Sequence, residues 1–408
     1  MMHDIKKIQI DEYNYLLPEH RIARYPLAQR DASKLLVVQG NVISEDYFRE
    51  ISYYLPSNSL LLLNETKVIQ ARLRFQNANG AAIELFVLEP HEQNLDYQLA
   101  YAKSSPVVWN CLVGNSKRWK TGVLTLEVKL KETTIALNAE RIEKLDDHSV
   151  VQFSWSKPEF SFAEVLDAAG EIPLPPYLNR KAEPADKERY QTVFARQDGS
   201  VAAPTASLHF TPELMADIKA ADHDFAKITL HVGAGTFKPV SSPEIGDHQM
   251  HAEQIVVQKT ILQQLIEALE RPIIAVGTTS MRSIESLYWL GVMLVERGTY
   301  QRELHLPQWF PYEEHSELPD AVSALKELVN YLELHQLENF KATTALMIAP
   351  GYKFKVVNGL ITNFHQPKST LLLLVSALVG EQWKTAYQYA LEHDFRFLSY
   401  GDSCLFLP

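Results

Sequence analysis

The chain has 408 residues, 46% of them hydrophobic, and carries 39 Lys and Arg against 50 Asp and Glu, a formal net charge of −11. This length exceeds one ordinary core, so at least two domains are expected, and the acidic balance excludes a general nucleic-acid coat. No apolar run approaches the roughly 20 residues that span a bilayer, the charged start MMHDIKKIQIDEY lacks a signal-peptide core, and Cys111 and Cys404 show no CxxC or metal-ligand spacing, so a reducing, cytoplasmic setting is expected.

Near the N-terminus Arg21, Arg24, Arg30 and Lys34 form a local basic patch. Residues 60–63 are a short apolar run ending at Asn64, which predicts a buried strand delivering Asn64, Thr66, Lys67 and Arg72 to its end. The grammar then changes. Residues 83–88, 107–113, 123–130, 133–137 and 150–155 are strand-like, several alternate, and turn signals such as NANG and KTG separate them. Residues 73–155 are therefore expected to form a small antiparallel β-barrel, with Lys117, Arg118 and Lys120 as a second basic patch.

Helices are predicted only beyond that stretch. Ser161 with Glu164 reads as a capping box opening SFAEVLDAAG, and Gly170 as its stop. Helices at 212–220, 260–270, 279–290, 321–334 and 382–393 then alternate with strands at 228–232, 272–276 and 345–348. The expected class is α/β: a layered α/β domain made of residues 1–72 and 156–408, carrying the inserted barrel domain 73–155. Within it, residues 292–340 read as an acidic insertion, where acids such as Glu313, Glu314, Glu317 and Asp320 outnumber the bases Arg297, Arg302 and Lys326. Such a stretch should avoid RNA phosphates.

Several segments could carry chemistry. VAAPTASLHF (201–210) and LHVGAGTFKPV (230–240) place small residues, hydroxyls and histidines where a core would want bulk. Thr205, Ser207 and Thr236 offer hydroxyls, and His209 and His231 offer titratable rings; a hydrogen-bonded core imidazole is the bland alternative for each ring. IIAVGTTSMRSIES (273–286) reads as a strand running through Gly277 into a helix that starts near Thr278 and Thr279. That junction suits an anion or ribose, with Arg282 one turn in as a clamp for carboxylate or phosphate. HQMHAE holds His248, His251 and Glu253. On an extended chain His251 and Glu253 share one face and His248 the other, so joint metal ligation would need a turn, and acid/base or substrate contact fits better. LITNFHQPKST supplies Asn363, His365, Ser369 and Thr370 in a strand-end loop. GEIPLPPYLNR with ERYQTVFA would make a stiff wall whose Tyr177, Tyr190 and Phe194 can stack a nucleobase.

In order, YLLPEHRIARYPLAQRDASKLLV, NETKVIQARL, GEIPLPPYLNR, RYQTVFA, VAAPTASLHF, LHVGAGTFKPV, HQMHAE, AVGTTSMRSIES, LITNFHQPKSTLLLLVSALVG and RFLSYGD closely resemble the S-adenosylmethionine:tRNA ribosyltransferase-isomerase family of queuosine biosynthesis. The resemblance implies an α/β domain with an inserted β-barrel, S-adenosylmethionine as co-substrate, no metal, and a tRNA with a precursor base at its wobble position as partner. It implies that the ribosyl part of S-adenosylmethionine joins the aminomethyl group of a 7-deazaguanine, giving epoxyqueuosine and releasing adenine and methionine. That chemistry needs a base at the ribose carbon beside the sulfonium and an acid or hydrogen bond at the departing adenine.

Carried onto matching positions, the resemblance makes Glu253, His251, His209 and His231 the candidate catalytic groups, with Glu253 first as the base. It makes Asn64, Arg72, Thr205, Thr236, Thr278, Thr279, Arg282, Asn363 and His365 the substrate-binding set, and Asp31 and Asp402 structural anchors or ribose acceptors. Arg30, Lys117, Arg118 and Lys120 would meet tRNA phosphate. The chain departs from the expected pattern at Glu65, Lys67, Gln70, Ser207, Asn358 and Gln366, which points to the alternative of a divergent paralogue acting on another nucleoside. A metal-dependent hydrolase using His248, His251 and Glu253 is the other rival.

Overall fold

The computed structural model describes residues 5–92, 97–146, 148–233, 240–298 and 304–408. Its strands are β1 (Lys34–Gln39), β2 (Val42–Tyr47), β3 (Leu60–Asn64), β4 (Thr66–Val68), β5 (Arg72–Gln76), β6 (Ala82–Pro90), β7 (Val107–Gly114), β8 (Val123–Leu130), β9 (Thr133–Lys144), β10 (Ser149–Trp155), β11 (Gln197–Ser200), β12 (Asp224–His231), β13 (Glu253–Gln258), β14 (Ile273–Val276), β15 (His305–Leu306), β16 (Asn339–Thr344), β17 (Gly359–Asn363) and β18 (Ser403–Leu407).

Ten strands form one mixed sheet in the order β15-β16-β13-β12-β3-β14-β17-β18-β1-β2. At its centre β12, β3, β14 and β17 all run parallel. Every residue of β3, β14 and β17 is buried, which is why these stretches read as continuous apolar runs rather than alternating ones. Leu60 and Leu62 pack into a core that holds the helices Lys259–Glu267, Thr278–Arg297, Ala321–Leu334, Thr370–Val379 and Gln382–Glu392. Leu61 and Leu63 pack into a second core, with Phe48, Ile51, Phe210, Leu214 and Ile218. The class is thus α/β with both faces of the sheet covered.

The other main sheet, β5-β6-β7-β10-β9-β8, is antiparallel throughout. Its edge strands β5 and β8 lie against each other, so it curls into a nearly closed barrel. Leu73, Phe75, Ile83, Leu85, Trp109 and Phe153 make its core, together with Phe162 and Val165 of the helix Phe162–Ala169. The Ser161–Glu164 capping box of that helix is formed in both directions. Gly170 ends it with extended backbone rather than a left-handed turn. A Cβ there would lie 1.9 Å from the Gln70 carbonyl oxygen, so the glycine serves close approach.

Three expectations need correction. The barrel stretch is not free of helix, since Tyr97–Ala102 forms one within it. Residues 345–348 are not a strand: β16 ends at Thr344, and the chain that follows is irregular and lines a hollow beside Arg282. The stretch 292–340 is part of the main body. It completes the 20-residue helix Thr278–Arg297, adds β15 to the sheet edge beside β16, and supplies the helix Ala321–Leu334. That helix touches its neighbour at Gly291, where a Cβ would fall 2.1 Å from the Ala324 carbonyl oxygen. Among the described residues no helix is long and apolar enough to cross a membrane.

Candidate functional site

The parallel strands β12, β14 and β17 end at one edge of the sheet, and a cavity of about 770 Å³, mouth included, opens there. Val232, Gly277 to Thr279 and Thr362 to Gln366 follow or complete those ends; Ala202 to Ala206, Tyr177, Tyr190 and Ser399 close the other side. Ligands of open α/β sheets bind in such a crevice at the carboxyl ends of the strands. Of the substrate-binding set, Thr205, Thr278, Thr279, Asn363 and His365 line it, as do Tyr177 and Tyr190 of the Pro-rich wall. Phe194, expected on that wall, is buried in the core with Phe210.

Gly277 stands at φ +90°, which L side chains rarely adopt, and its N–H bonds the Ile361 carbonyl at 2.7 Å. The 20-residue helix that follows has no side-chain cap. Its first N–H groups therefore lack intrahelical acceptors and carry the positive end of the helix dipole at the cavity wall. Thr279 Oγ1 and Asn363 Oδ1 are buried with no hydrogen-bond partner. A buried polar atom left unsatisfied costs about 1–3 kcal/mol, so two of them on one cavity make it the candidate binding surface.

His209 stands behind this wall. Asn363 Nδ2 donates to His209 Nε2 (3.1 Å) and to the Asp402 carbonyl (3.4 Å), which leaves Nδ1–H of the ring to donate to Ser33 Oγ (2.9 Å). Burial lowers the His209 pKa to about 4, so near neutral pH the ring is uncharged and orients Asn363. His365 is brought down to about 3, again by burial, and shares a 3.0 Å hydrogen bond with Thr362 Oγ1. Asp402 is an anchor, accepting from Lys34 N, Arg396 N and the Arg396 guanidinium.

A second hollow of about 350 Å³, mouth included, shares Thr278, Thr279 and Leu371 with the first and is lined by Arg282. Arg282 is ion-paired with Glu253, which opens β13 and is buried with it. Burial brings the guanidinium down to about 10.

Other expected residues are not brought to the cavity lining. Asn64 is spent across the sheet: Nδ2 donates to the Leu230 carbonyl, and Oδ1 accepts from Thr66 N and Leu230 N. Arg72 is carried onto the barrel by β5, where Nε and one terminal nitrogen bond Glu84 at 2.6 and 2.9 Å. His231 ends β12 at the barrel seam, bonded to Thr66 Oγ1 (3.1 Å) and stacked on Tyr97 with ring centres 5.0 Å apart. His251 is exposed in the loop before β13. With His251 outside and Glu253 turned in toward Arg282, the hydrolase triad with His248 does not converge. No metal-holding group of three such side chains occurs among the described residues. Thr236 lies outside the described residues. Lys117, Arg118 and Lys120 are exposed on a barrel turn, whereas Arg30 is held by backbone carbonyls.

The departures from the expected pattern are mostly absorbed locally. Lys67 pairs with Asp198, Gln70 bonds Asp167, and Asn358 caps Ile273 N at 2.8 Å; Gln366 alone of the six lines the cavity. Thr362 and Ser399 line it too, without any spacing signal in the sequence to single them out; Ser399 was buried among aromatics in RFLSYGD.

The family model described as queuosine biosynthesis protein matches residues 10–406. The S-adenosylmethionine:tRNA ribosyltransferase-isomerase of Trichlorobacter lovleyi is 37% identical over 402 residues, 97% of this chain and 99% of that protein. The protein of that name from Natranaerobius thermophilus is 36% identical over 409 residues, 97% and 98% of the two chains. The crystal structure of S-adenosylmethionine tRNA ribosyltransferase from Thermotoga maritima is 28% identical, covering 97% of this chain and 100% of that one, at a TM-score of 0.46.

Proposed function

This chain belongs to the S-adenosylmethionine:tRNA ribosyltransferase-isomerase family of queuosine biosynthesis, and from that premise we propose how its cavity works. The protein is an enzyme of the transferase and isomerase type. It transfers and isomerises the ribosyl moiety of S-adenosylmethionine onto 7-aminomethyl-7-deazaguanine at the tRNA wobble position, in the cytoplasm, giving epoxyqueuosine, adenine and methionine. The observation that carries the reading is the cavity at the strand ends, where an uncapped helix start, Thr279 Oγ1 and Asn363 Oδ1 await partners.

The lining, apolar walls with a few convergent hydroxyl and amide groups, suits a sulfonium nucleoside. The helix start with Thr278 and Thr279 takes ribose hydroxyls or the methionine carboxylate, and Tyr177, backed by the buried Tyr190, flanks a base. Asn363, oriented by His209, accepts a hydrogen bond from a substrate N–H, while the uncharged His365 contributes a hydrogen bond rather than a charge. Glu253 lines neither hollow and is reached only through its partner Arg282; from the family resemblance it is assigned as the base for the ribose carbon beside sulfur. In the unliganded protein Arg282 holds its carboxylate. A methionine carboxylate drawn to Arg282 would release Glu253 to accept the proton, coupling the base to co-substrate binding. Neither His231 nor His251 lines this cavity; they sit at the barrel seam and in the loop before β13. Lys117, Arg118 and Lys120 approach tRNA phosphate from the barrel.

The direct test incubates purified protein with precursor tRNA and labelled S-adenosylmethionine and analyses the nucleosides by mass. Adenine and methionine should appear only when both substrates are present, with one epoxyqueuosine per adenine. Adenine release without tRNA, or a different product nucleoside, overturns the assignment.

A further inference from the structure

The main cavity adjoins a smaller hollow of about 300 Å³, mouth included, and Ser399 lines both. Three arginines line the smaller one: Arg30, Arg189 and Arg396. Arg30 donates to the carbonyls of Gln191 (2.8 Å), Leu208 (3.2 Å) and Glu188 (2.9 Å). Arg189 closes the single helical turn Asp186–Arg189 and reaches back to the carbonyls of Leu27 and Ala28. Arg396 is paired with Asp402 at 3.0 Å.

The carbonyls fix where the first two guanidiniums stand without neutralising them, since a carbonyl carries no net charge. Burial and the field of Arg189 both make Arg30 a weaker base than usual. The acid that acts on Arg30 is Glu188, itself exposed and screened by water. Two like charges pinned in a half-buried hollow are unfavourable until an anion stands between them, and planar guanidiniums match phosphate geometry.

We propose that this hollow is a phosphate subsite that takes a backbone phosphodiester of the tRNA next to the nucleotide whose base enters the main cavity. The inference rests on the tRNA-modifying reading above. Ser399 on the shared wall joins the two hollows, as a base and its flanking linkage require. A phosphodiester is favoured over the methionine carboxylate because that group is already assigned to Arg282 and the helix start, which line a different hollow. A fixed local pair of cations also explains how a chain with net charge −11 holds a polyanion.

The test uses Arg189→Gln and Arg189→Lys, with precursor-tRNA affinity measured across salt concentrations, S-adenosylmethionine affinity measured without tRNA, and melting temperature as the folding control. Arg189→Gln should weaken tRNA binding about tenfold at low salt and flatten the slope of log affinity against log salt by roughly one. Arg189→Lys should restore the slope, and S-adenosylmethionine affinity should not move. A second arm needs no protein variant: precursor tRNA with a neutral methylphosphonate at either linkage flanking the wobble nucleotide. One of the two should lose about tenfold in affinity for the unaltered protein and little more for Arg189→Gln. An unchanged salt slope in Arg189→Gln, a loss confined to S-adenosylmethionine affinity, or full affinity for both methylphosphonate tRNAs overturns the proposal alone. Failure of the unaltered protein to bind precursor tRNA overturns the tRNA-modifying reading and the proposal with it.

Discussion

The strand-end cavity and the barrel seam hold polar residues of the same kinds, yet they differ in how those residues are satisfied. At the seam Asn64 has both ends of its amide occupied, Arg72 is bidentate to Glu84, and His231 is bonded to Thr66 and covered by Tyr97. At the cavity Asn363 has its nitrogen occupied and its oxygen empty, and Thr279 Oγ1 has no partner. Satisfied buried polarity holds an architecture together, while unmet buried polarity marks where something else binds. The two asparagines make the lesson concrete.

The comparison can be broken or sharpened by substitution. The largest effect is expected on the cavity side: Glu253→Gln should lower adenine release by roughly a thousandfold if the carboxylate is the base. Release at the parent rate by a folded variant would remove Glu253 from that role. On the seam side Asn64→Ala should cost about 3 kcal/mol of stability, because it strands backbone groups of Leu230 and Thr66. Denaturant titration measures this, and S-adenosylmethionine affinity of the folded protein should stay unchanged. An affinity loss without a stability loss would place Asn64 with the cavity.

Next in size is a pH effect. His209 and His365 are held uncharged in the folded protein, at about 4 and 3 against an ordinary 6.5, so between those values the unfolded chain binds protons that the folded one does not. Stability should therefore fall as pH drops from about 6.5 toward 4 and be insensitive to these rings above that range. His209→Gln, with a melting curve at each pH, should flatten the dependence; an unchanged profile would mean the ring is not held uncharged. The smallest effect separates function from stability most cleanly. Thr279→Val removes an unpartnered hydroxyl, so stability should hold or rise by up to about 1 kcal/mol, while S-adenosylmethionine affinity falls about tenfold. A calorimetric titration beside a melting curve reads both.

Local chemistry carried much of the fold into the sequence. The uniform apolar run of β3, the alternation along β6 and β7, the Ser161–Glu164 capping box and the helix start after Gly277 depend on neighbours a few residues away, and all were readable as such. The strand-like look of residues 345–348 failed because an apolar run declares burial without declaring a ladder partner.

What tertiary structure alone decided is which polar residues meet. Asn64 finds Leu230 because β3 lies beside β12, Asn363 finds His209 because the Thr205–His209 turn comes against β17, and Glu253 finds Arg282 from a different strand and helix. Each contact joins groups far apart in the chain, and strand order, which no local pattern encodes, determines whether a buried hydrogen-bonding atom is satisfied by the protein or left for a ligand.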